Sequence, residues 1–268
     1  MSMALWTPIT SAFNARYDHH VHLLGAYTGR QQDEWMEAIE QKGWIPVFTE
    51  HSYIFREAKG ILDIAWATER CLYTLDQYIR WSDQFRESGV PVKVGLEVDY
   101  VRGKERRIEK LLSEHPWDMV IGSVHWDGEE PFDDVSGRFP PPCRDKIRRY
   151  FGILREMVST GLFDVLGHLD VFRAAGTCDS GYEEWDEVTE ILRLAAERGM
   201  VIELNTGGLR KPTREAYPRA LVLDSAAALG MSICLSSDAH SPGELGFHLE
   251  QSMSGLTQRY PGRVVSIG

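Results

Sequence analysis

No two of the four cysteines, Cys71, Cys143, Cys178 and Cys234, stand at the short spacing of a thiolate metal site or a redox motif. Scattered like this, they read as reduced thiols without chemistry of their own. Long hydrophobic runs are also missing. Nothing approaches the roughly 20 apolar residues of a membrane span, and no basic segment leads into an apolar one near the amino terminus. The expectation is a cytoplasmic protein with no membrane partner. Basic excess is absent too: 29 Lys and Arg face 40 Asp and Glu, for a net charge of −11. That balance argues against a surface that tracks nucleic-acid phosphates. There is no internal repeat or low-complexity tract, and Phe139-Pro140-Pro141-Pro142 reads as a loop.

What is present suits a globular enzyme. With 43% hydrophobic and 26% charged residues, 268 residues can bury a sizeable core, and the expectation is a single domain over 1–268. Strand-like runs at Tyr17–Val21, Trp44–Thr49, Val92–Val98, Met119–Ser123, Asp164–Gly167, Met200–Leu204 and Ser232–Ser236 alternate with amphipathic stretches. The latter are Glu34–Lys42, Ile61–Ser88, Lys104–Ser113, Lys146–Ser159, Tyr182–Arg198 and Arg214–Leu229, several stopping at a glycine. Seven such units imply an α/β fold, a closed or nearly closed β/α barrel.

Histidine and carboxylate clusters sit at the ends of these strand-like runs: Asp18-His19-His20-Val21-His22, Glu50-His51, Glu97-Val98-Asp99, His168-Leu169-Asp170 and Asp238-Ala239-His240. His125 closes another run. Residues two apart on a strand share a face, so His20 with His22, and Asp238 with His240, can converge on one centre. Imidazole and carboxylate suit zinc, iron or manganese. Strand ends converge on one face of a barrel, so position and chemistry agree on a multinuclear metal site.

Those segments carry a resemblance. His20-Val21-His22, Thr49-Glu50-His51, Gly95 to Tyr100, Gly122-Ser123-Val124-His125, Gly167-His168-Leu169-Asp170, Glu203 to Arg210 and Ser237-Asp238-Ala239-His240 resemble, in order, the PHP (polymerase and histidinol phosphatase) family, and within it the monofunctional histidinol-phosphate phosphatases. The resemblance implies a distorted seven-stranded β/α barrel with two or three divalent ions, zinc, iron or manganese. His20, His22, Glu97 and Asp238 would bind the first, and Glu97, His125 and His168 the second. His51 and His240 would bind the third with a further loop histidine, but Thr28 stands where that histidine is expected. The implied reaction is hydrolysis of a small phosphate ester, foremost L-histidinol phosphate. The alternatives are another ester, a non-phosphate hydrolase, or a nuclease-like or non-catalytic polymerase module.

Two cations about 3.5–4 Å apart can share a hydroxide and clamp phosphoryl oxygens for in-line attack. Asp238, His240 and His51 are the expected catalytic side chains, with His240 or His51 protonating the leaving group. Arg210, just past a strand end, is expected to grip phosphate, with Arg173 as second candidate. Asp18 and Asp170 are read as carboxylates that orient ligand imidazoles, and Asp99 as doing likewise or capping a loop. His19, out of phase with its neighbours, is expected to face away. Trp6, Trp44, Trp117 and Trp126 read as core or rim packing, with Trp126 able to border the pocket.

Overall fold

The computed structural model describes residues 5–9, 16–23, 31–176 and 185–268. In chain order the elements are β1 (Trp6–Pro8), β2 (Tyr17–Val21), α1 (Gln31–Lys42), β3 (Ile45–His51), α2 (Ala65–Arg70), α3 (Leu75–Glu87), β4 (Lys93–Asp99), α4 (Glu105–Ser113) and β5 (Met119–Ser123). The short β6 (Trp126–Asp127) and β7 (Glu130–Pro131) follow, then α5 (Arg144–Thr160), β8 (Val165–Leu166), α6 (Trp185–Glu197), β9 (Val201–Asn205), α7 (Ala220–Ala228), β10 (Ile233–Ser236), α8 (Leu249–Arg259) and β11 (Val265–Ile267).

Seven of these strands form one parallel sheet in the order β10-β9-β8-β5-β4-β3-β2. Its two edges meet beyond β10: Val21 and Ala239 form a parallel bridge, and His22 N donates to Ala239 O at 2.8 Å. The result is the nearly closed, seven-stranded β/α barrel expected from the sequence. Inside it, Tyr17, Val47, Ile121, Val165, Val201 and Cys234, from six different strands, pack with Val265 and Ile267 of β11. β11, paired antiparallel with β1, plugs the end away from the strand C-termini.

The inward positions of β4 differ. By strand alternation they are Gly95, Glu97 and Asp99, and a Cβ on Gly95 would meet Met119 O at 2.1 Å. Glycine lets β4 lie tight against β5, with Glu97 placed on the barrel axis side above it.

Two helix boundaries depart from expectation. Ile61–Ser88 is not one helix: α2 ends at Arg70, and α3 restarts at a capping box in which Thr74 Oγ1 accepts from Gln77 N at 3.3 Å and Gln77 Oε1 from Thr74 N at 2.9 Å. Arg214–Leu229 is helical only from Ala220. Pro218 disfavours helix at the residue before it, and Tyr217 instead exchanges two backbone hydrogen bonds with Asn205 at 2.7 and 2.9 Å, extending the end of β9. α8 lies beyond the expected helices. Among the described residues no helix is long and apolar enough to cross a membrane. Cys71, Cys143 and Cys234 are free thiols, and Cys178 lies outside the described residues.

Candidate metal centre

Parallel register brings the strand ends level, with His51 opposite Glu97 on β3 and β4. Glu97, fully buried, is the hub. Its Oε2 lies 2.7 Å from His51 Nδ1, 3.3 Å from His20 Nε2 and 3.7 Å from His22 Nε2. Its Oε1 lies 2.9 Å from His168 Nε2 and 3.5 Å from His125 Nε2. Asp238 Oδ1 stands 3.2 Å from His22 Nε2, and the His240 ring stacks on that of His22 at 4.1 Å. Asp238 reaches inward from a left-handed backbone conformation, φ 55°, which Asp tolerates better than most residues and which recurs at functional sites.

All eight side chains expected as ligands therefore share one cluster. Their ligand atoms form four overlapping triads, each within 4.8 Å: His20-His22-Asp238, His20-Glu97-His168, His51-Glu97-His125 and His22-His51-His240. Among the described residues, His20 Nε2, His22 Nε2, His51 Nδ1 and Glu97 Oε2 are buried without a hydrogen bond. Such atoms are costly to bury unless something satisfies them, and nitrogen lone pairs around a shared carboxylate fit divalent cations. Thr28, at the place of the missing loop histidine, lies outside the described residues.

Behind the imidazoles stands a layer of carboxylates that sets which nitrogen faces the centre. His20 Nδ1 bonds Glu203 Oε1 at 2.7 Å, His125 Nδ1 bonds Asp99 Oδ1 at 2.7 Å, and His22 Nδ1 bonds Glu50 Oε1 at 3.3 Å. In each ring Nε2 is left for the centre. Glu203 also accepts from Ser236 Oγ and His168 N, both at 2.5 Å. The sequence reading did not single it out. The signal available was that Glu203 and Asn205 share a strand face at a strand end, and Asn205 Nδ2 indeed donates to Asp238 Oδ2 at 3.2 Å. Glu203→Gln is expected to weaken metal binding about 10–100-fold, measured by titration against a chromophoric chelator; unchanged affinity would leave Glu203 a mere packing group.

Two expected orienting carboxylates serve elsewhere. Asp18 accepts from Ser237 N at 2.8 Å and Gly246 N at 2.9 Å, anchoring the chain after β10. Burial raises its pKa to about 6 against the lowering effect of these hydrogen bonds. Asp170 pairs with Arg173. His19 does face away: its Nδ1 bonds Leu235 O at 2.8 Å and its Nε2 accepts from Ile267 N at 3.2 Å, tying β11 to the barrel.

The family profile of the PHP domain matches residues 18–207, the stretch that supplies all of these groups except Asp238 and His240. The chain belongs to the PHP domain family. A "Probable histidinol-phosphatase" of Deinococcus radiodurans is 33% identical over 88% of this chain and 90% of its own length. Another of that name from Schizosaccharomyces pombe is 25% identical over 84% of this chain and 80% of its own. The fold is also that of a histidinol phosphate phosphatase from Lactococcus lactis, solved in complex with zinc, L-histidinol and phosphate. The two share a TM-score of 0.76 at 20% identity, over 94% of this chain and 96% of that one.

In this PHP centre charge is balanced by proton uptake. Burial alone would raise the Glu97 carboxyl, but His51, His20 and His125 surround it with positive charge and hold it well below the usual carboxylate range. Asp238 is held down likewise, by His20 and by His22 beside it. Burial works to lower His22 and His125 but is outweighed. The carboxylates of Asp238, 3.2 Å from its Nε2, and Glu50 lift His22 to about 9, and Asp99 and Glu97 lift His125 to about 10. Cations entering this site displace protons from those rings.

The two arginines part company. Arg210 Nη2 donates to Asp238 O at 2.8 Å, its Nε lies 3.2 Å from Glu244, and its buried Nη1 has no hydrogen-bond partner among the described residues. It therefore keeps a donor in reserve beside the centre. Arg173 is only 2% exposed, with Nη1 on Asp170 Oδ2 at 2.8 Å and Nη2 on Glu215. The structure uses its guanidinium to neutralise a buried carboxylate, which does not fit the expected grip on substrate.

Proposed function

We propose that this PHP protein hydrolyses L-histidinol phosphate to L-histidinol and phosphate. It is a metal-dependent phosphatase. The observation that carries the reading is the set of five imidazoles around Glu97, three of whose facing nitrogens have no hydrogen bond among the described residues, with Nη1 of Arg210 likewise. The likeness to proteins named probable histidinol-phosphatase along most of the chain supports this substrate.

His20, His22, Glu97 and Asp238 would hold one divalent ion and Glu97, His125 and His168 a second, while His51 and His240 stand ready for a third. Bound there, such ions acidify water and neutralise phosphoryl charge. The protein's own groups do the rest. Arg210 Nη1 donates to a phosphoryl oxygen, a charge-assisted bond that orients the ester. Asp238, kept ionised by its neighbours, accepts a proton from the attacking water. His240 Nδ1 lies 3.0 Å from Asp238 O, so the neutral ring donates there and presents a lone pair at Nε2. With no third ion bound, His51, 17% exposed, would supply the proton for the departing oxygen.

The test is phosphate release from a panel of monoesters by metal-reconstituted protein. Turnover of L-histidinol phosphate, abolished in His168→Ala and raised about tenfold or more in KM by Arg210→Ala, is expected, since a charge-assisted bond is worth about 1.5–3 kcal/mol. Release from other esters alone would discard this substrate. No release from any ester would discard the reading.

A further inference from the structure

Between β3 and α3 the chain builds a small apolar cluster of its own, Leu62, Ile64 and Ala67, against which Tyr53, Trp66 and Trp126 pack. Their rings form a continuous wall leading away from the metal centre. Tyr53 stacks on His51 with centroids 4.8 Å apart and planes at 25°. Trp66 meets Tyr53 at 5.0 Å and 61°, and Trp126 meets Trp66 at 4.9 Å and 46°. Trp126 directly follows His125, and Phe132 N donates to His125 O at 2.7 Å across the β6–β7 turn. The wall thus begins at one metal-facing histidine and returns to another.

All three rings are only half-buried. Half-buried aromatic surface that starts at a candidate ligand and is backed by an apolar cluster has the make-up of a ligand wall. Asp99, Glu50 and Glu97 all act on Tyr53, and the cation that offsets them is Arg70. That guanidinium lies 4.2 Å from the Trp66 centroid, held by its Nη1 on Trp66 O at 2.9 Å. The wall already carries one cation on a ring face, and π faces attract cations.

We propose that Tyr53, Trp66 and Trp126 form the subsite for the alcohol part of the ester and select substrates in which that part carries a cationic or protonatable group. This rests on the phosphatase reading above and extends it to how the leaving group is recognised. Trp126 is the ring to remove, because it ends the wall and, unlike Tyr53 on His51, is not itself stacked on a candidate ligand among the described residues. The wall acts on binding and leaves the chemistry at the ions to other residues.

The experiment compares Trp126→Leu with the metal-loaded wild type on three probes: L-histidinol phosphate, phosphocholine and glycerol 3-phosphate. The ratio of kcat/KM for either cationic ester to that for glycerol 3-phosphate is expected to fall about threefold to thirtyfold, mainly through KM, the range spanned by a cation–π contact. Binding of L-histidinol itself, followed by calorimetry with and without the substitution, is expected to weaken by a similar factor and does not require turnover. An equal change for all three esters, or unaltered L-histidinol binding, overturns the subsite. If phosphocholine is cleaved and L-histidinol phosphate is not, the named substrate falls, and the subsite is judged by the phosphocholine ratio alone.

Discussion

Glu97→Gln is expected to lose at least about 10³-fold in kcat, since ions at such a centre supply several kcal/mol of transition-state charge stabilisation. The change is nearly isosteric, so the effect isolates charge. Glu97 lies within 3.7 Å of five imidazoles, contributed by four other strand ends. An amide there offers one neutral oxygen and a nitrogen whose hydrogens point at the very lone pairs meant for metal. Bound metal, counted by elemental analysis after gel filtration, should fall along with activity. A Glu97→Gln protein that keeps full metal content and activity within tenfold of wild type would remove Glu97 from the centre of the mechanism.

Arg173→Ala is expected to destabilise the fold by about 3–5 kcal/mol, the cost of leaving one partner of a buried ion pair uncompensated. At about 2–4 °C per kcal/mol for a chain of this size, Tm drops by roughly 6–20 °C. Arg173 and Asp170 have side chains 2% and 1% exposed, so solvent cannot take over the role of the lost guanidinium. The link to Glu215, whose side chain is 55% exposed, contributes little by comparison. A bond from Arg219 N to Asp170 Oδ2, at 3.1 Å, comes from a neutral amide and brings no charge to replace the guanidinium. Urea denaturation decides the matter against the role expected from sequence. Stability within 1 kcal/mol of wild type combined with a raised KM would return Arg173 to the substrate.

The barrel was legible because its strands are buried on both faces and read as short apolar runs, and because parallel connections leave helices between them. The centre was legible for a related reason: HxH and DxH at strand ends put both side chains on one face, and strand ends share one side of a barrel. Helix limits around residues 71–74 and 214–219 were not, since a capping box and the pairing of Tyr217 with Asn205 interrupt apolar patterns that continue through them. Asp18 and Asp170 were misread because a carboxylate next to a ligand histidine looks the same in sequence whether it turns towards the imidazoles or away from them.

The sequence by itself determined which residue types stand at which strand ends, and with them the barrel, the eight candidate ligands and the family. Only the tertiary structure decided how each imidazole is turned. The nitrogen that His20 presents depends on Glu203, 183 residues away in the chain, and that of His125 on Asp99 in the neighbouring strand. It likewise decided that Arg173 is enclosed with Asp170 while Arg210 keeps a free donor by Asp238. These are choices between two faces or two nitrogens of the same side chain, and they turn on partners that strand periodicity does not bring together.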